Sequence, residues 1–122
     1  MTGALMALTI TTATAAENDS ANDWLPHCKN VLNYFDQDNS RIASPLSAGM
    51  CIGRVEGITS VLRLGTVGGS IFCADIPGGV TPAQILRVVV RYIEAEPQYM
   101  HEEFNWLAML AIENAWPCRK AP

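Results

Sequence analysis

The four cysteines are the residues of this chain whose type and spacing carry the clearest chemistry. No Cys-x-x-Cys spacing occurs, which argues against a structural zinc site or a thioredoxin-like redox pair. In a short chain that looks exported, four cysteines are typical of two disulfides, and three pairings are possible. Cys73 precedes one patterned helix and Cys118 follows the next. Antiparallel helices joined by a short turn would place these two within disulfide reach. We therefore favour Cys73–Cys118, which leaves Cys28–Cys51.

Groups that could act in catalysis are few. His27 sits beside Cys28, but neighbours in sequence do not face each other on a helix, and an oxidised Cys28 is no nucleophile. His101-Glu102-Glu103 resembles part of a metalloprotease signature, but Asn105 stands where that signature needs its second histidine. We interpret this stretch as the polar first turn of a helix, where acidic residues are favoured by the helix dipole.

Four carboxylates surround the predicted turn between the last two helices: Glu94, Glu96, Glu102 and Glu103. Paired carboxylates could do acid–base work, but a solvated acidic corner is the simpler interpretation. The glycines from Gly65 to Gly69 lack the Lys-Ser/Thr step of a phosphate loop. We expect no catalytic residue, no metal and no cofactor, so the sequence favours a binding protein over an enzyme.

Length and charge further limit the classes of protein to which the chain could belong. A chain of 122 residues is one domain. Its net charge of −4, without clustered Lys or Arg, argues against a nucleic-acid partner. Residues 4–16 are uncharged and apolar, end in small residues and precede a polar run, as in a secretory signal peptide. This apolar run is too short to span a bilayer.

The signal-peptide pattern has one departure, because no Lys or Arg precedes the apolar run. We interpret residues 1–16 as a signal peptide that could lack its true beginning, and residues 17–122 as a single helical domain. The alternative is an Ala/Thr-rich tail without an export role.

Hydrophobic periodicity predicts four helices and no coiled-coil repeat. The first runs from near Asp23 to about residue 34, because Pro26 is tolerated only in a first turn. The second covers about 44–63, with Gly65 behind its end. The third begins with Thr81 as N-cap, Pro82 as its first residue and Gln84 as the capping-box partner. The fourth covers about 98–115. The predicted fold class is all-α, a small bundle of about four helices stapled by two disulfides.

Glycines mark two further features. Gly53 and Gly57 lie on one face of the second helix, where each costs about 1 kcal/mol against alanine, so a packing benefit is expected. Close approach of another helix is the simpler explanation, and a subunit contact is the alternative. Residues 64–80 are glycine-rich and are predicted to form an irregular loop anchored by Cys73.

The last third of the chain resembles the Rap/Tai immunity family of type VI secretion systems. The resemblance rests on Cys73-x3-Pro77-x2-Val80-Thr81-x2-Gln84-x2-Arg87-Val88-Val89-x2-Tyr92-x4-Pro97 and on the ending Trp116-Pro117-Cys118. Upstream, Cys51-x-Gly53-x3-Gly57 and a cysteine in the first helix are also similar. The resemblance covers roughly residues 23–118, without the segment between the second and third helices.

This resemblance implies a periplasmic, disulfide-bonded helical protein that protects its own cell. Such proteins bind secreted peptidoglycan amidases with a Cys–His active site and plug the catalytic cleft, and they are typically homodimers in two-to-two complexes. A concave cleft needs a protruding, anchored inhibitor segment. We therefore expect the effector contacts between residues 64 and 72, at Leu64, Thr66, Val67, Ser70, Ile71 and Phe72.

Other interpretations remain open at this point. Residues 64–72 could be an ordinary connector whose Val67, Ile71 and Phe72 cover the core. The chain could also be an envelope protein of the same scaffold with a structural or chaperone-like role and no toxin partner. A small periplasmic hydrolase is a third, weaker reading.

Overall fold

The computed structural model describes Gly3, residues 19–36 and residues 45–118. These ranges contain four α-helices and no β-strand: α1 (Ala21–Asp36), α2 (Pro45–Gly68), α3 (Pro82–Ala95) and α4 (Phe104–Ala115), with a 3-10 turn at Pro97–Tyr99. The prediction of an all-α fold of about four helices is confirmed. The signal peptide predicted over residues 1–16 lies outside the described residues, apart from Gly3.

Helix α3 begins as its sequence predicts and lies at the centre of the bundle. The backbone N–H of Gln84 donates to the Thr81 hydroxyl at 3.2 Å, and Pro82 occupies the first helical position. Its buried face packs against the other three helices. All four helices contribute larger apolar side chains to the core: Trp24, Leu25, Val31, Val55, Leu62, Ile85, Leu86, Val89, Val90, Ile93, Phe104, Leu107 and Ile112.

Helix α1 begins two residues earlier than predicted. The Ser20 carbonyl accepts from the N–H groups of Asp23 and Trp24, so the helix starts at Ala21 and Pro26 lies inside it. A proline in that place removes one hydrogen bond to the residue four positions earlier, Asn22. Asn22 is exposed, so water can satisfy its carbonyl group and the helix continues.

The predicted fourth helix is shorter than expected. Residues 98–103 do not belong to it, so the interpretation of His101-Glu102-Glu103 as a helical first turn is wrong. The Met100 and Glu102 carbonyls accept from the N–H groups of Asn22 and Ala21 at the start of α1, at 2.8 and 2.9 Å. Since these carbonyls dock α1, they are not free for a regular helix, and α4 begins only at Phe104.

Helix α2 is longer than predicted, because Gly65 does not end it. The helix continues to Gly68, and Gly69, with φ of 70°, follows its last residue. Gly65 is buried within the helix because the chain folds back over it. A Cβ there would run into the Phe72 carbonyl group and lie 3.2 Å from the Cys73 Cβ. The irregular segment is therefore residues 69–80, and Leu64, Thr66 and Val67 are helical.

The structure brings together the cysteine pairs that we favoured. Cys28 of α1 and Cys51 of α2 are fully buried, with Cα atoms 5.5 Å apart. Cys73 and Cys118 have Cα atoms 6.0 Å apart and close the open end of the α3–α4 hairpin. In the chain-entropy model, each bond stabilises a fold by roughly 3 to 4 kcal/mol.

Candidate partner-binding surface

Four exposed apolar side chains lie at the end of α2 and in the segment after it. The exposed fractions are 70% for Leu64, 90% for Val67, 84% for Ile71 and 42% for Phe72. We call these four residues the apolar tip. The alternative that Val67 and Ile71 cover the core is wrong, because both side chains point to solvent. No charged residue occurs between Leu64 and Phe72, so a partner would meet an uncharged apolar protrusion.

The apolar tip has a rigid base. The Thr66 hydroxyl donates to the Ala74 carbonyl at 2.9 Å, and the Ala74 N–H donates to the Leu62 carbonyl at 3.2 Å. The N–H of Ser70 donates to the Gly65 carbonyl at 3.0 Å. Cys73, directly behind the tip, is bonded to Cys118. The segment is therefore held at both ends to the bundle.

The six predicted contact residues divide into two groups. Leu64, Val67, Ile71 and Phe72 form the apolar tip. Thr66 and Ser70 have internal roles, since Thr66 bonds Ala74 and the Ser70 hydroxyl accepts from the Phe72 N–H at 3.1 Å. The structure therefore places all six at one end of the bundle, but gives only four of them free apolar surface.

A second apolar surface lies between α2 and α4, and the sequence analysis did not recognise it. A groove of about 490 Å³ runs between the two helices. We call it the α2–α4 groove, and it is lined by Gly53, Arg54, Gly57, Ile58, Val61, Leu62, Glu103, Asn105, Trp106 and Met109. Val61 and Trp106 are 61% and 46% exposed. The sequence signal that could have indicated this surface is Trp106, a large side chain beside the apolar stripe of α4.

Gly53 and Gly57 lie in this groove and not beneath another helix. A Cβ added at either position would meet nothing within 4 Å. The prediction that another helix of the same chain packs closely on them is wrong. The alternative, a subunit contact, remains a hypothesis.

One end of the α2–α4 groove carries opposite charges. Arg54 stacks over the Trp24 ring, with its guanidinium carbon 3.7 Å from the ring centroid, and donates to the Asp19 carboxylate at 2.9 Å. Glu103 is exposed on the other side and accepts from Asn105 Nδ2 at 3.3 Å. The Asn105 side-chain oxygen is buried without a hydrogen-bond partner among the residues that the structure describes.

Of the residues considered for catalysis, Glu103 lines the α2–α4 groove, whereas His27 lies apart from both surfaces. His27 contacts the Ser47 hydroxyl through Nδ1, a pair that sequence reasoning missed. A serine nucleophile needs a histidine that is oriented by a third group, and no carboxylate in the described ranges contacts the His27 ring. The Ser47–His27 contact joins α1 to the start of α2.

The four carboxylates of the acidic corner are separated into local pairs. Glu94 binds Lys29 at 2.8 Å, Glu96 accepts from Gln98 at 2.6 Å, Glu102 lies 3.5 Å from His101, and Glu103 accepts from Asn105 at 3.3 Å. Within residues 19–36 and 45–118, no group of three or more His, Cys, Asp or Glu side chains could hold a metal ion. Over the same ranges, no helix has the length and apolar character to cross a membrane.

Comparison with known families places this helical, disulfide-bonded chain in one class. The family model of the Rap1a immunity proteins matches residues 20–118. The chain therefore belongs to the Rap1a immunity protein family, and its function is immunity against a secreted effector. Proteins of this kind are typically non-enzymatic. No curated protein and no solved structure matches the chain.

Proposed function

We propose that the protein is a periplasmic immunity protein that inhibits a peptidoglycan amidase secreted by a type VI system. In this proposal the chain is exported after removal of residues 1–16, and residues 17–122 form the single immunity domain. The protein performs no catalysis itself and needs no cofactor. It acts as a homodimer, as its family resemblance implies.

The observation that carries the proposal is the apolar tip on its rigid base. An inhibitor that fills a catalytic cleft must project apolar side chains without paying a large ordering entropy on binding. Val67 and Ile71 project most, and Thr66 and Cys73 hold the segment in place. The tip carries no charge, so its insertion into a cleft leaves no unpaired buried ion. Occlusion of the amidase cleft is the mechanism that this geometry supports.

The amidase is identified by its chemistry, a Cys–His hydrolase that cleaves cell-wall peptides. Cells that direct this amidase to the periplasm are expected to lyse, and co-expression of the immunity protein is expected to protect them. Leu64→Gln combined with Ile71→Gln should abolish protection, because both side chains belong to the apolar tip and are largely exposed.

Leu46→Gln is the matched control. Leu46 lies near the other end of α2 and is 76% exposed, close to the 70% of Leu64. Protection should survive this change. If the wild-type chain neither binds nor protects against any Cys–His amidase encoded by a neighbouring gene, the proposal is wrong. A scaffold role in the envelope then becomes the better account.

A further inference from the structure

The proposed effector contact does not use the α2–α4 groove. The two helices that line this groove, α2 and α4, run in the same direction. At one level the Asp19 carboxylate accepts from Arg54 of α2, and the Asp19 carbonyl accepts from the Phe104 N–H of α4 at 2.7 Å. Towards the other ends, Thr66 lies 3.5 Å from Cys118. Each position along α2 therefore lies across the groove from a position along α4 at the same level of the bundle.

We propose that the α2–α4 groove is the interface of the homodimer, with a two-fold axis parallel to α2 and α4. Such an axis exchanges the two sides of the groove but leaves the position of each residue along the helix direction unchanged. Helix α2 of one copy therefore faces α4 of the other. An isologous interface requires that one surface is complementary to itself. This inference deepens the homodimer of the proposed function and rests on it, but not on the identity of the effector.

Shape supports this arrangement. Gly53 and Gly57 leave an open strip of backbone on α2, and the half-exposed Trp106 lines the α4 side of the groove. Under the two-fold axis, the Trp106 ring of each copy covers the partner's glycine strip. Buried tryptophans are frequent energetic centres of interfaces. Exposed Val61 then lies opposite the partner's Met109, which covers a second apolar residue.

Charge supports the same axis. Arg54 and Glu103 lie on opposite sides at the same end of the groove. The two-fold axis places Arg54 of each copy opposite the partner's Glu103, so two attractive pairs form and like charges stay apart. The five donors of a guanidinium allow Arg54 to keep Asp19 while it binds a second carboxylate. A two-fold axis across the helices would instead place Arg54 against apolar positions.

The test is the self-association of the purified full chain, measured by sedimentation over a range of concentrations. Gly57→Gln should raise the dimer dissociation constant by about tenfold or more, since overpacking of a fitted contact commonly has this effect. The fold should persist, because a Cβ at Gly57 meets nothing within 4 Å and the groove is open to solvent beyond it. Gly49→Gln is the control. It lies in the same helix, also in open space, but outside the groove, and should leave dimerisation unchanged.

Charge gives an independent variant. Glu103→Arg should weaken the dimer, and added salt should reduce the difference from wild type, because salt screens the repulsion between exposed charges. Circular dichroism of each variant checks the fold.

The outcomes separate this interface from the proposed function. A wild-type chain that is monomeric at every concentration overturns the homodimer and the interface together, while effector inhibition is measured on its own. A wild-type dimer that Gly57→Gln and Glu103→Arg leave intact overturns the interface alone. Loss of effector inhibition in Gly57→Gln with an intact dimer would assign the groove to the effector, against the inference.

Discussion

The Thr66 hydroxyl donates a hydrogen bond to the Ala74 carbonyl oxygen at 2.9 Å, across the turn that carries the apolar tip. The same hydroxyl lies 3.3 Å from the Leu62 carbonyl. One threonine therefore joins the last turns of α2 to the chain that leads into α3. Its position explains why this predicted contact residue belongs to the base of the surface and not to its exposed part.

Removal of the Thr66 hydroxyl should weaken the fold locally. Thr66→Val leaves the Ala74 carbonyl without its donor and should lower the free energy of unfolding by about 1 kcal/mol. Thr66→Ser keeps the hydroxyl and should retain most of that stability. Urea unfolding of the oxidised protein measures both variants. A larger loss in Thr66→Ser than in Thr66→Val would show that the methyl group, not the hydrogen bond, stabilises this position.

Gly65 should tolerate no side chain, unlike the other glycines of α2. Gly65→Ala forces the Phe72 carbonyl away and should destabilise the fold by about 1 to 3 kcal/mol. Gly49→Ala places its methyl group in open space and should stabilise the helix by roughly 0.5 to 1 kcal/mol. Urea midpoints for the two variants should move in opposite directions. A shift of the same sign for both would contradict the close approach at Gly65.

The two disulfides should differ in what they support. Loss of Cys28–Cys51 removes a bond from the core, whereas loss of Cys73–Cys118 frees the base of the apolar tip. Replacement of either pair by alanine should lower stability by roughly 3 to 4 kcal/mol. Only the Cys73→Ala/Cys118→Ala variant should increase amide hydrogen exchange chiefly at residues 69–76. Uniform exchange in both variants would show that this bond does not anchor the tip specifically.

Acid should weaken the contact between α1 and α3. Arg87 of α3 makes a paired contact with the Asp36 carboxylate, one arm of it at 3.0 Å, and this hydrogen bonding lowers the pKa of Asp36. The stability that the pair contributes is therefore present above the ordinary aspartate pKa and is lost as pH falls through the lowered folded value. Asp36→Asn should flatten the low-pH part of the stability curve, as measured by thermal unfolding between pH 2 and pH 7 (roughly the range in which carboxylates titrate). An unchanged acid limb would show that the pair is not formed in solution.

Local signals in the sequence predicted much of this fold. The start of α3 is set by Thr81 and Pro82, which lie at the start itself. The pairing of Cys73 with Cys118 follows from their places directly before α3 and after α4. The ends of α2 and α4 could not be predicted in this way. They depend on contacts with distant chain, namely Phe72 over Gly65 and the start of α1 against Met100 and Glu102.

The candidate surfaces show the same division. The family resemblance, together with the tether at Cys73, predicted that residues 64–72 protrude, and the apolar tip lies there. The α2–α4 groove was not predicted, because helical spacing alone does not tell whether the side of α2 that carries Gly53 and Gly57 is covered by another helix. The pairing of His27 with Ser47 also depends on how α1 crosses α2.

The most direct test of the central claim is a titration of the purified cognate amidase with the immunity protein, with hydrolysis of a cell-wall peptide as the readout. The wild-type chain and Leu46→Gln should inhibit stoichiometrically, reaching full inhibition at one immunity protomer per amidase. Leu64→Gln combined with Ile71→Gln should raise the inhibition constant by about a hundredfold, the size expected when two apolar anchors of an interface are lost. Equal inhibition by the double variant and the wild type would contradict the claim that the apolar tip occludes the amidase cleft.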